Sequence, residues 1–215
     1  GYDYGHNTHA SVAHTYKIES KTTVPGRYMD ITGNKATAYG FIAAAEKAGL
    51  KLFLGSYPIT PATDVLHELS KHKSLGVMTV QCEDEISGCA TSIGAAFAGA
   101  LAVTSTSGPG VCLKSEAMNL AVITELPLVV LDVQRGGPST GLPTKSEQTD
   151  LLQALFGRNG ESPMPVIAAS SPTSCFDAAY MASKIALEHM TPVVLLTDGF
   201  VANGSGAWKL PKLAD

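Results

Sequence analysis

LAVTSTSGPGVCLKSEAMNLAVITELPLVVLDV, residues 101–133, is the stretch that decides the fold. An apolar run, Leu101–Thr104, ends in the small polar loop Ser105-Thr106-Ser107-Gly108-Pro109-Gly110. Val111–Thr124 then reads as a helix, and Leu128–Val133 as a second strand whose one polar member is Asp132. Strands written as short, nearly continuous apolar runs are covered on both faces, and strands alternating with helices imply a parallel sheet.

The same alternation runs in both directions from this unit. Upstream, Lys35–Ala48 reads as an alanine-rich helix closed by Gly49, and Leu50–Leu54 as a strand. Pro61–Lys71 follows as a helix with proline in its first turn and Val65, Leu66 and Leu69 as its apolar stripe. Val77–Val80 is the next strand and Asp84–Ala98 the next helix. Downstream come helix Ser146–Leu155, strand Val166–Ala169, helix Ser174–His189 and strand Val193–Leu196. The fold class expected is α/β, a doubly wound, mainly parallel sheet of about six strands with helices on both faces. Residues 1–33 lack periodicity and read as an extended linker, with one strand at Thr15–Ile18. The expected domain spans 34–210, and 211–215 begin a link to a further domain. A polar opening without Met leads us to expect a piece of a longer subunit. His6, His9 and His14 have no Cys, Asp or Glu at matching spacing, so they read as solvated rather than metal-binding.

Composition narrows the function classes. The 215 residues allow one large domain or two small ones, with a sizeable core either way. Charged residues make up 16%, against roughly 25% in a typical domain. That deficit points to a surface partly covered by another domain or subunit. Net charge is -4, with no basic stripe for nucleic acid and no polybasic run for a membrane surface. No apolar run approaches the ~20 residues of a membrane span. Cys82, Cys89, Cys112 and Cys175 show no CxxC spacing and read as reduced cysteines of a cytoplasmic protein. A metal or cluster held by this chain alone is not expected.

In doubly wound sheets ligands sit beyond the carboxyl ends of the strands, which directs attention to four loops. Loop 81–84 delivers Glu83-Asp84-Glu85 to a helix start; capping explains one acid, not three. Gly88, Ala95 and Gly99 follow at helical spacing, small enough for close helix–helix or helix–subunit contact, and a carboxylate facing that contact would be partly desolvated. Loop 105–110 could present amides to an anion or serve only as a turn. Loop 134–145 places Arg135 at a strand end among three glycines, two prolines and several hydroxyls, Thr144 included, a setting suited to gripping a carboxylate. In loop 55–61, Thr60 stands between Pro58 and Pro61 with one residue on its other side. No nucleophile–His pair or dinucleotide fingerprint appears.

Tyr57-Pro58-Ile59-Thr60-Pro61, Glu83-Asp84-Glu85, Thr106-Ser107-Gly108-Pro109-Gly110 and Gln134-Arg135-Gly136-Gly137-Pro138-Ser139-Thr140-Gly141 occur in this order. Together they resemble the α subunit of 2-oxoacid:ferredoxin oxidoreductases, the 2-oxoglutarate synthase branch in particular, over roughly residues 34–210. The resemblance implies the domain that receives the aminopyrimidine of thiamine diphosphate. It implies Glu85, nine residues before Gly94, as the activating carboxylate at the pyrimidine N1′. Tyr57, Pro58, Ser107 and Gly108 would contact the cofactor, and Thr60, Arg135 and Thr144 the 2-oxoacid carboxylate. The reaction implied is reversible oxidative decarboxylation of 2-oxoglutarate to succinyl-CoA with reduction of ferredoxin. Pyruvate or branched-chain specificity, and a non-catalytic binding or assembly module, are the alternatives.

The resemblance also implies partners: a β subunit holding the diphosphate, Mg²⁺ and a [4Fe–4S] cluster, a γ domain or subunit, ferredoxin and coenzyme A, in a dimer of heteromers. The thiamine family's metal signature, GDG with a distant Asn, is missing here. Thr197-Asp198-Gly199 is a superficial echo, with Asn203 too close. The chain is therefore expected to fold but to be catalytically incomplete alone, with residues 1–33 following a γ domain and Trp208–Pro211 leading into a further one.

Overall fold

The structure is a computed structural model that describes residues 1–8, 16, 17, 19 and 24–211. His9, His14 and the ends of the strand expected at 15–18 lie outside the described residues. Helix α1 (Tyr2–Asn7) is exposed throughout. Strand β1 (Tyr28–Thr32) leads into α2 (Gly33–Ala48), whose first turn is capped by the Thr32 hydroxyl accepting from Lys35 N–H and whose last turn ends at the left-handed Gly49. Next come β2 (Leu52–Ser56), α3 (Thr63–Leu69), β3 (Met78–Gln81), α4 (Glu85–Phe97) and β4 (Leu101–Thr106). Then follow α5 (Gly108–Ile123), β5 (Leu128–Gln134), α6 (Leu151–Phe156), β6 (Val166–Ala168) and α7 (Ser174–His189). The described chain closes with β7 (Pro192–Asp198), α8 (Gly199–Asn203) and β8 (Ser205–Lys209).

Six strands form one parallel sheet in the order β3-β2-β4-β5-β7-β6, as the apolar runs require. One face packs Phe41 and Ala45 of α2, Val65 and Leu69 of α3, and Ala179 and Ala182 of α7 against Leu54, Val103, Leu131 and Leu195. The other packs Cys89 and Ile93 of α4, Val111 and Met118 of α5, and Ala154 of α6 against Ala102, Val130 and Leu196. The chain winds one way from β2 to β3 and the other way from β4 to β5. The direction therefore reverses between β2 and β4, and their carboxyl ends frame the crevice where such sheets bind ligands.

Several boundaries differ from the sequence reading, each for a local reason. Pro61 precedes the helix instead of opening it: the Ile59 carbonyl accepts from Ala62 and Thr63 N–H, making a separate turn, and α3 starts at Thr63. Helix α5 starts at Gly108 instead of Val111, because Pro109 lacks only an N–H that the first turn leaves free. Helix α6 starts at Leu151 instead of Ser146. The Gln134 carboxamide oxygen accepts from Asp150 N–H at 3.0 Å and Gln148 donates to Asp198 at 2.6 Å, which draws 146–150 out of helical geometry. Residues 28–32, read as linker, form β1, which pairs antiparallel with β8 from Tyr28↔Lys209 to Thr32↔Ser205. Trp208, read as leading out of the domain, instead packs on Phe176 of α7 within it, ring centroids 5.0 Å apart. No helix among the described residues is long and apolar enough to cross a membrane. All four cysteines are free, with Cys89 and Cys175 buried.

Candidate functional site

The three acids after β3 separate by role. Asp84 is the N-cap of α4: its carboxylate accepts from Ser87 N–H at 2.8 Å, and the Ser87 hydroxyl accepts from Asp84 N–H at 3.2 Å. The Ser87 backbone bond holds the Asp84 carboxyl below its usual range. Glu83 is exposed. Glu85, the first residue of α4, is half-buried and turns toward the crevice, where its methylene neighbours Tyr57. Tyr57 follows β2, is 5% exposed, and its hydroxyl shares a 2.8 Å hydrogen bond with Thr106 at the end of β4. Burial pushes the Tyr57 phenol above its ordinary value; the Thr106 bond opposes this, and the charge of Glu85 adds to it.

These groups converge on Gly110. A Cβ built there would collide with the Thr106 and Tyr57 oxygens and lie 2.9 Å from Glu85 Cγ. Only glycine permits this meeting of strand ends and helix, so the last residue of the Thr106–Gly110 motif is explained by space and not by an anion. Gly88 is likewise explained by close approach. Its Cα faces Gly55 and Ser56 of β2, bringing α4 onto the sheet and not onto another helix, while Gly94 and Gly99 face open space.

Arg135 is 5% exposed and joins two loops. One terminal nitrogen donates to Thr60 O at 2.7 Å and the other to Thr140 O at 2.7 Å, while Nε is buried without a partner. A guanidinium has five N–H groups, so donors remain after the two loop contacts. The arch beyond it closes through Gly136 N–H to Lys145 O at 2.8 Å and Leu142 N–H to Gly136 O at 2.9 Å. Thr60, Pro58 and Thr144 are exposed at this rim.

Ser107 and Gly108 lie deeper. Ser107 is the N-cap of α5, fully buried, its Oγ without a partner, and Gly108 faces the carboxyl group of Asp150. Asp150 in turn neighbours Asp132, which has no exposed surface and no partner for either carboxyl oxygen among the described residues. Burial, then the charge of Asp150, push the Asp132 carboxyl well above the ordinary range. Asp198, in the GDG-like echo, is committed to capping: its Oδ1 accepts from Phe200 N–H at 2.7 Å and Val201 N–H at 3.1 Å. Among the described residues no three His, Cys, Asp or Glu are grouped to hold a metal ion.

The family described as pyruvate flavodoxin/ferredoxin oxidoreductase, thiamine diphosphate-binding, matches residues 43–215. The chain belongs to this family. A Mycobacterium tuberculosis protein named 2-oxoglutarate oxidoreductase subunit KorA is 61% identical over 211 residues, covering 98% of this chain and 32% of that protein. An Archaeoglobus fulgidus protein named 2-oxoglutarate synthase subunit KorA is 41% identical, covering 86% of this chain and 52% of its own length. The chain thus spans a third to a half of these relatives. Among solved structures, a 2-oxoglutarate:ferredoxin oxidoreductase from Magnetococcus marinus, with 2-oxoglutarate, coenzyme A and succinyl-CoA bound, superimposes with a TM-score of 0.89 at 37% identity. That match covers 98% of this chain and 36% of the other. The expected α/β fold and family are therefore those of the thiamine diphosphate-binding oxidoreductases.

The structure brings Tyr57 and Glu85 together, and Thr60 with Arg135 across two loops. It places Ser107 and Gly108 beneath them, beside Asp150. The sequence reading did not single out Lys114, which has no exposed surface. The available signal was its position in the apolar stripe Val111–Ala117–Met118–Ala121 of α5, where a charge is out of place.

Proposed function

We propose that this chain supplies the pyrimidine half of a thiamine diphosphate site in a 2-oxoacid:ferredoxin oxidoreductase that interconverts 2-oxoglutarate and succinyl-CoA. The observation that carries this reading is the convergence of Glu85, Tyr57 and Thr106 on Gly110 at the reversal point of the sheet. A half-buried carboxylate beside a buried phenol at the carboxyl ends of β2 and β4 suits a flat heterocycle with a ring nitrogen to protonate. Family membership and the names of the relatives support the same cofactor and 2-oxoacid.

Thiamine diphosphate, when bound, supplies the electron sink for decarboxylation. Glu85 holds and returns the proton at the pyrimidine N1′. Tyr57 and Thr106 fix the wall beside Glu85 by their mutual hydrogen bond, with Pro58 adding a cofactor contact at the rim and Ser107 and Gly108 supporting the wall from beneath. Arg135 offers its remaining donors to the substrate carboxylate, with the Thr60 and Thr144 hydroxyls assisting from the rim. The β subunit would bring the diphosphate, its Mg²⁺ and a [4Fe–4S] cluster, and the γ domain, coenzyme A and ferredoxin complete the cycle in a cytoplasmic dimer of heteromers. The low charged fraction supports such coverage, with Phe97 83% and Ile123 81% exposed.

The test is co-expression of the full-length subunit with its β partner, followed by viologen reduction dependent on 2-oxoacid and coenzyme A. We expect activity with 2-oxoglutarate above that with pyruvate, and a loss of about 10²–10⁴-fold in Glu85→Gln. A wild-type complex inactive with every 2-oxoacid, or a fully active Glu85→Gln, would overturn the assignment.

A further inference from the structure

We propose that Lys114 is a positioning residue: its ammonium fixes the first turn of α4 from behind and so sets where the Glu85 carboxylate stands. This rests on the proposed role of Glu85. Lys114 rises from the fourth-residue ridge of α5 with its side chain wholly buried. Nζ donates to the Glu85 backbone carbonyl at 3.0 Å and to the Thr104 hydroxyl at 2.8 Å, and it lies 5.3 Å from the centroid of the Tyr57 ring. An ammonium has three donors; two meet oxygens, and the Tyr57 ring stands within cation–π range.

The arrangement is poorly explained by stability. No carboxylate lies within ion-pair distance of Lys114 among the described residues. Burying an ammonium without an ionic partner is unfavourable, and an apolar side chain of similar volume packs such a site at least as well. The groups facing it are Glu85, Asp84 and Cys89 from α4, Cys82 from the end of β3 and Tyr57 after β2. Burial pulls the ammonium down to about 8, while Cys89 and Glu85 oppose the shift.

What the charge contributes is geometry. The Asp84–Ser87 box fixes the N–H side of the first turn of α4, and Lys114 fixes its carbonyl side. The same ammonium holds the Tyr57 ring, whose hydroxyl is tied to Thr106. Glu85 is therefore gripped through its own backbone and through the wall it leans on. A carboxylate displaced by about 1 Å from its reacting partner loses on the order of 10²-fold in rate.

The test compares Lys114→Met, Lys114→Arg, Thr104→Val and Glu85→Gln in the full-length subunit with its β partner. Two readouts are used besides turnover: exchange of the thiazolium C2 proton of bound thiamine diphosphate into deuterium oxide, and thermal melts across pH. Lys114→Met should slow C2 exchange and kcat by about 10- to 100-fold with KM for the 2-oxoacid nearly unchanged. Thr104→Val, which removes one anchor, should slow exchange a few-fold and Lys114→Arg should recover part of the loss. In the melts, the unfolded chain holds the lysine proton up to its ordinary value near 10.5, while the folded chain releases it near 8. Wild-type stability should therefore rise from pH 8 to 10.5, and Lys114→Met should lose that rise. Wild-type exchange in folded Lys114→Met overturns the proposal. If that variant does not fold, unchanged exchange in Thr104→Val does so. Normal exchange in Glu85→Gln would instead sink the underlying role of Glu85.

Discussion

Replacing Arg135 by alanine and by lysine separates what its guanidinium does for two loops from what it does for a substrate. It donates to Thr60 O and Thr140 O, both at 2.7 Å, from a position only 5% exposed. A hydrogen bond from a charged donor contributes about 1.5–3 kcal/mol. Both carbonyls lie near the rim and regain water when released, so the low end applies: about 3 kcal/mol for the two in Arg135→Ala. Lysine, with one nitrogen, reaches one carbonyl at a time and should recover about half. Urea titration would show this as a lower midpoint with an unchanged slope. Hydrogen exchange should quicken in 57–63 and 136–145 together, because one side chain joins them. In the assembled enzyme, kcat/KM for the 2-oxoacid should fall in both variants, more in alanine. An alanine variant that loses less than about 0.5 kcal/mol, with neither loop exchanging faster, would refute the idea of a shared clamp.

The buried acid pair gives a pH signature. The raised folded value of Asp132 contributes stability that is complete below the ordinary carboxylate range and is lost as pH rises through the folded value. Asp132→Asn removes the titrating carboxyl at nearly the same volume. It should flatten the pH dependence of the melts relative to wild type; an unchanged slope counts against a raised Asp132 carboxyl. Gly110→Ala would drive a methyl into the Tyr57–Thr106 bond and against Glu85. We expect a loss of about 1–3 kcal/mol in denaturant and weaker retention of thiamine diphosphate by calorimetry, and a neutral result would show that the site does not converge there.

The central sheet was legible because β4 and β5 are apolar on both faces, so local composition alone marked them. Strands β1 and β8 were not: their burial alternates weakly, and each is stabilised by a partner at the far end of the domain, Tyr28 against Lys209. Helix starts failed where side chains compete with the backbone, as Gln134 does for the N–H of Asp150. At the site, quoted motifs carried Tyr57, Glu85 and Arg135 into view. The carbonyl partners of Arg135 could not be read, since one comes from Thr60, 75 residues away. Lys114 was passed over because lysine on a helix usually extends its charge to water; here the end of the stem meets oxygens and a ring inside the protein.

The β1–β8 pair also has a consequence for how this domain is carried. Because Tyr28 and Lys209 lie side by side, the segment 28–209 begins and ends at one place, on a two-stranded sheet separate from the six-stranded one. Such a unit behaves as a cassette that can be embedded in polypeptides of different size. The matched segment makes up 32% of one relative and 52% of another.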